Sequence, residues 1–141
     1  MRKLEQGIVL LTLLMALPVS AHHSFAMFDF AQPAQVSGTA AKLEWSNPHV
    51  FVWMYVPDKR FPSGYQLYAF ETGSLVLMAR VGWDRHAISP GDKISVDYMP
   101  LRDGKPGGFL VRMTKSDGKV LNGDPAALQA LKTIKSGEQK P

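Results

Sequence analysis

The chain has 141 residues, a formal net charge of +4, 45% hydrophobic residues and no cysteine. The absence of cysteine excludes disulfides, thiolate metal sites, a cysteine nucleophile and a lipid-modified cysteine together. A mild basic excess with no block of like charge gives no electrostatic case for nucleic acid, and the length fits one domain with a modest core.

Residues 1–21 open with Arg2 and Lys3, continue through an apolar run at 8–17 and end in Pro18, Val19, Ser20 and Ala21. That order of charged, apolar and small-residue regions is the pattern of a secretory signal peptide. The apolar run is about ten residues, against the ~20 that a membrane-spanning helix needs. Val19 at −3 and Ala21 at −1 place the cut before His22, with a cut after Ala26 as the competing position. Two of the sixteen basic residues and one of the twelve acidic ones lie in this leader, so residues 22–141 carry +3. The expectation is a periplasmic or secreted protein with no membrane span after cleavage, stabilised by packing alone.

An N-terminal arm, 22–35, follows. Its Phe25, Met27, Phe28 and Phe30 form an apolar cluster expected to pack on the domain, and Gln32, Pro33 and Ala34 punctuate it, since proline cannot continue a strand ladder. Residues 36–45 read as a strand weakened by Gly38 and two alanines. Pro48 fixes its own φ and keeps Asn47 extended. Residues 49–56 give the strongest strand signal, with Val50, Val52, Met54 and Val56 on one face and Phe51, Trp53 and Tyr55 on the other. A polar turn at 57–64 predicts a hairpin to a strand at 65–71, where Tyr65, Leu67 and Ala69 alternate with Gln66, Tyr68 and Phe70.

Ser74 is placed to N-cap a two-turn helix at 75–81, with Leu75, Met78 and Ala79 on one side and Gly82 as its C-terminal glycine. Residues 83–90 connect to a half-buried strand through Ile94, Val96 and Tyr98 that stops at Pro100. A tight loop at 102–105 leads to a strand at 107–114, and a second at 116–119 leads to Val120 and Leu121. Asp124 and Pro125 then read as an N-cap and first helical residue for a helix bearing Leu128, Leu131 and Ile134, with a frayed tail to 141. The plan is all-β: a small five-stranded barrel of the oligonucleotide/oligosaccharide-binding (OB-like) type over 36–122, with one short helix between strands 3 and 4, and a short helix and tail at 123–141. A β-sandwich is the alternative, but it predicts no helix at that place.

The runs 22–29 (HHSFAMFD) and 44–49 (EWSNPH), with Glu71, Gly82-Trp83, Pro90-Gly91-Asp92 and Arg102-Asp103-Gly104, resemble an exported bacterial family known as domain of unknown function 6152. The resemblance spans nearly all of 22–141. It implies an exported, β-rich domain and carries no assigned activity or catalytic residues.

Among the four histidines, His22, His23 and His49 form the candidate metal set. Imidazole is the commonest protein ligand for transition metals and is mostly neutral at pH 7. A histidine at a free N-terminus offers its α-amine, with a reference pKa of about 7.7 to 8.0, as well as its ring. Completed by further imidazoles, such a nitrogen set suits a transition metal such as copper. Asp29 and Glu71 are candidate outer acceptors that would fix a ring tautomer. His86, in a polar connector, reads as a surface residue.

No arrangement predicts an enzyme. Ser24 beside His23 is not a nucleophile–base pair, because adjacent residues rarely meet the geometry. Glu44 and Glu71 as paired carboxylates read better as strand-rim residues, and no glycine loop opens a helix to cradle phosphate. The alternative to metal binding is a module that takes a small molecule or partner protein on an aromatic face, for which Trp45, Tyr55 and Tyr68 are the candidates. Trp53 and Trp83 are assigned to the core.

Overall fold

The computed structural model describes residues 25–137. A single 3-10 turn, Phe25–Met27, leads into strands β1 (Ala34–Glu44), β2 (Phe51–Pro57) and β3 (Tyr65–Glu71), helix α1 (Leu75–Arg80), strands β4 (Lys93–Pro100), β5 (Gly107–Lys115) and β6 (Val120–Asn122), and helix α2 (Pro125–Ser136). The sheet order is β3-β2-β1-β4-β5-β6, and a parallel pairing of β3 with β5 closes the first five strands into a barrel, with β6 added outside the ring on β5. The five-stranded barrel expected from the sequence is therefore present, with α1 between β3 and β4. The three-residue β6 was not expected: only Leu121 within it turns inward, too little for a period to show.

Closure depends on β1. Its residues 34–39 pair with β4 and its residues 39–44 with β2, and the register shifts between Ala40 and Lys42. Ala41 is the extra residue of a bulge, which bends and twists the strand so that it can serve two neighbours at different angles. Gly38 reads in the sequence as a weak spot, yet a Cβ there would lie 2.2 Å from the carbonyl oxygen of Tyr55. The missing side chain is what lets β2 approach so closely.

The barrel interior is filled by Val50, Val52, Met54 and Val56 from the expected face of β2, joined by Phe70, Ile94, Val96, Leu110 and Met113. Met78 of α1 and Trp83 close one end of this core, and the Trp83 indole Nε1–H donates to the Asn122 carbonyl at 2.7 Å. Trp53 differs from the expectation. It is half-buried on the outer face of β2, its Nε1–H donating to Glu44 Oε2 at 3.1 Å and the Lys42 ammonium 5.0 Å from its ring centre. The reason is geometric. Alternation puts Trp53 on the face opposite Val52 and Met54, and among the described residues no second layer covers that outer face.

A second core lies outside the barrel, where Phe28, Met99, Phe109, Val111, Ala127 and Leu131 meet. β5 is thus buried on both faces. Helix α2 covers part of its outer side, started by the Asp124 carboxylate accepting the Ala126 N–H at 2.8 Å and stopped at Gly137 in the left-handed conformation, φ 71°. The arm covers the rest. Asp29 N–H donates to the Pro100 carbonyl at 2.7 Å and Arg102 N–H to the Met27 carbonyl at 3.0 Å.

Candidate functional site

The β2–β3 hairpin carries the site. Pro57 stands opposite Tyr65, and the same register puts Phe51 opposite Glu71. Beyond Phe51 the ladder is extended by Thr72 N–H donating to the Val50 carbonyl at 2.9 Å and Val50 N–H to the Gly73 carbonyl at 3.0 Å. These bonds hold the loop end beside the strand end and bring His49 Nδ1 to 2.6 Å from Glu71 Oε1. Glu71 is only 8% exposed, and a carboxylate so withdrawn from water needs a partner of this kind. The contact also orients the ring: Nδ1 faces the carboxylate, so Nε2 is the nitrogen through which His49 would coordinate a metal.

The pair lies in the wall of a cavity of about 570 Å³, which is also lined by Phe25, Phe28, Leu77 and Phe109 and by the polar Thr72, Ser74 and Asp124. The apolar half of this wall was not anticipated from the sequence. It is built by the arm, Leu77 of α1 and the outer side of β5, which no local pattern places together. Asp29, the other candidate acceptor, is directed elsewhere. Its Oδ1 accepts the Ala31 N–H at 3.0 Å and lies 4.0 Å from Arg102 Nη2.

His22 and His23 lie outside the described residues, as do residues 1–21, expected from the sequence to be a signal peptide. Among the described residues no three His, Asp or Glu side chains are grouped to hold a metal ion. His49 and Glu71 thus offer one imidazole and a carboxylate that orients it, and among the described residues they are not joined by a third such group. Phe25, the first described residue, is part of the cavity wall. His86 is exposed, its backbone N–H donating to Asp84 Oδ1 at 2.7 Å.

The three aromatics proposed as a ligand face do not share one face. Tyr55 is 39% exposed on the outer face, its ring 4.7 Å from that of Tyr65. Tyr68 pairs with Met54, a core residue, and so belongs to the opposite side of the hairpin. Trp45 is half-buried against the main core. Glu44 and Glu71 are likewise apart: Glu44 is engaged on the outside by Lys42 and Trp53, which hold its carboxyl below the usual carboxylate range.

Compared with known proteins, residues 11–111 match a family described as a family of unknown function (DUF6152). The matched stretch includes the arm, both histidines of positions 22 and 23, the His49–Glu71 pair and the barrel as far as the middle of β5. No curated protein and no solved structure matches the chain.

Proposed function

The chain belongs to this family of unknown function (DUF6152), and from the chemistry of its own residues we propose that it is an exported, periplasmic or secreted, binding protein that holds a transition metal such as copper. In this reading cleavage after Ala21 makes His22 the N-terminal residue, and the α-amine and ring of His22, the ring of His23 and the Nε2 of His49 form the donor set. Nitrogen donors of this kind suit copper(II), which stands at the top of the divalent affinity order. Glu71 keeps the His49 ring in the tautomer that presents Nε2.

The observation that carries the reading is the His49–Glu71 contact of 2.6 Å in the wall of a cavity that Phe25 also lines. A carboxylate behind a histidine ring is the usual support for a metal-binding imidazole, and Phe25, three positions after His22 in the sequence, lines the same cavity. The other reading, a partner bound on Trp45, Tyr55 and Tyr68, has less support because Tyr55 faces outward while Trp45 and Tyr68 pack against the main core.

The test is to express the full chain, determine the first residue of the exported product by mass spectrometry, and titrate copper(II) while recording nitrogen hyperfine structure by electron paramagnetic resonance. The expected result is a start at His22, one copper per chain and several coupled nitrogens. His49→Ala should remove one coupled nitrogen, and Glu71→Gln should weaken binding by about 10- to 100-fold. A product beginning beyond His23, or a His49→Ala spectrum and affinity identical to those of the parent, would overturn the proposal.

A further inference from the structure

A second cavity, of about 440 Å³, lies between the 58–64 loop and the 101–106 loop, away from His49, and its walls include Arg60, Gln66, Tyr68, Tyr98 and Lys105. Its size falls within the range of about 300 to 1,000 Å³ usual for small-molecule sites. We propose that this cavity binds a small organic anion, a carboxylate carried on a flat or compact apolar body.

The two tyrosines form its inner wall. Tyr68 packs on Phe70 with ring centres 5.9 Å apart, and Phe70 packs on Tyr98 at 5.0 Å, so both rings are fixed by the same core residue. Among the described residues neither phenol hydroxyl and no atom of the Gln66 amide has a hydrogen-bond partner, and none of these atoms is sealed from solvent. Polar groups held on a packed surface and left for an outside partner are what a ligand site supplies. Burial, and after it the neighbouring Tyr68, raises the Tyr98 phenol above its ordinary 10.0. It therefore stays protonated at neutral pH and acts as an O–H donor.

Charge selects the ligand class. The side chains lining this cavity include two cations and no carboxylate. Asp58 engages the Arg60 guanidinium through Nε and Nη2 and also accepts the Arg60 backbone N–H, and Asp103 sits 2.8 Å from Lys105 Nζ. Each cation is thereby steadied at the rim with donors to spare. With each cation already paired to an aspartate, selection comes from their remaining N–H donors, which face the cavity with no lining carboxylate to accept them and which an anionic acceptor uses best. A carboxylate can take Arg60 or Lys105 together with a phenol donor, while its body rests on Phe61, Leu101 and the ring of Pro106.

The test uses protein made from the full chain, in low salt, titrated with benzoate and with benzamide as the uncharged shape-mate, read by amide chemical shifts. Benzoate is expected to saturate with shifts confined to the two loops and the neighbouring tyrosines, and benzamide to bind at least tenfold more weakly. Arg60→Gln with Lys105→Gln, both at exposed positions and so compatible with folding, should bring benzoate to the benzamide level. Tyr98→Phe keeps the ring and should weaken benzoate several-fold. His49→Ala should leave benzoate binding unchanged. Equal affinity for the two probes, shifts centred elsewhere, or a double variant that binds benzoate like the parent would overturn the proposal.

Discussion

Replacing Phe28 by alanine tests whether the arm is part of the folded domain. Phe28 is 3% exposed and packs in the second core, its ring 5.2 Å from that of Phe109. Phenylalanine-to-alanine changes in cores destabilise by about 3 to 5 kcal/mol, less where the site can relax or fill with water. Phe28 borders the 570 Å³ cavity, so the lower end applies, about 3 kcal/mol. An unfolding entropy of about 2.1 cal/mol/K per residue over the 113 described residues gives roughly 240 cal/mol/K, so each kcal/mol moves Tm by about 4 °C. Phe28→Ala should therefore lower Tm by about 12 °C in differential scanning calorimetry. Phe25→Ala is the internal control. Phe25 is 49% exposed and makes two edge contacts, with Phe30 at 5.7 Å and Phe109 at 5.2 Å. At the lower end of about 0.5 to 1.5 kcal/mol per exposed edge contact, its loss should be about 1 kcal/mol, or ~4 °C. A Phe28→Ala protein that melts no lower than Phe25→Ala would mean that the arm is not packed as described, and the cavity wall next to His49 would lose its floor.

Gly38→Ala should destabilise by about 2 kcal/mol or more in urea unfolding, because its Cβ would press to 2.2 Å from a backbone oxygen that cannot swing aside; an unchanged midpoint would contradict the close approach of β1 and β2. Asp124→Ala removes the side chain that caps α2 and should lower stability by about 1 kcal/mol, or ~4 °C, whereas Asp124→Asn should retain most of it. For pH, Asp92 accepts the Ser89 N–H and pairs with Lys115, and these two partners hold its carboxyl below its ordinary 3.8. Its contribution is thus complete above about pH 4 and is lost as pH falls through the lower folded value. Melting curves from pH 6 to pH 2 should show a shallower acid loss for Asp92→Asn than for the parent, and parallel curves would refute the assignment.

Much of the barrel was legible because local chemistry and long-range need agree in β2, β3 and α2. The apolar face of β2, the polar turn at 57–64 and the Asp124-Pro125 start of α2 each stand out without knowledge of the rest. The β2–β3 register was legible too. With Pro57 opposite Tyr65, partners sum to 122, which pairs Phe51 with Glu71 and Met54 with Tyr68. Counting along that hairpin would have placed Glu71 beside His49 and separated Tyr68 from Tyr55. What local pattern cannot express is closure. The parallel β3–β5 pairing joins Ala69 to Gly107, and the bulge at Ala41 answers a demand set by two neighbouring strands at once. Trp53 shows the same limit: when both faces of a strand are apolar, periodicity says that there are two faces and not which one is inside.

The second core ties these observations to the site. A barrel of this size closes on its interior alone, so β5 could have carried polar residues outward; instead it presents Phe109 and Val111 there. That apolar strip has to be covered, and α2 reaches only part of it. The remaining part is taken by Phe28, whose neighbours in the chain are bonded to the end of β4 and to Arg102. Phe109 faces both ways in consequence, packing on Phe25 and Phe28 and lining the cavity that holds His49 and Glu71. The outward aromatic of β5 is therefore the reason that Phe25 and Phe28 of the arm lie at the hairpin's polar pair. An arm held only by backbone bonds would fray from an edge, whereas one anchored through a buried ring keeps Phe25 at the cavity, within two residues of His23.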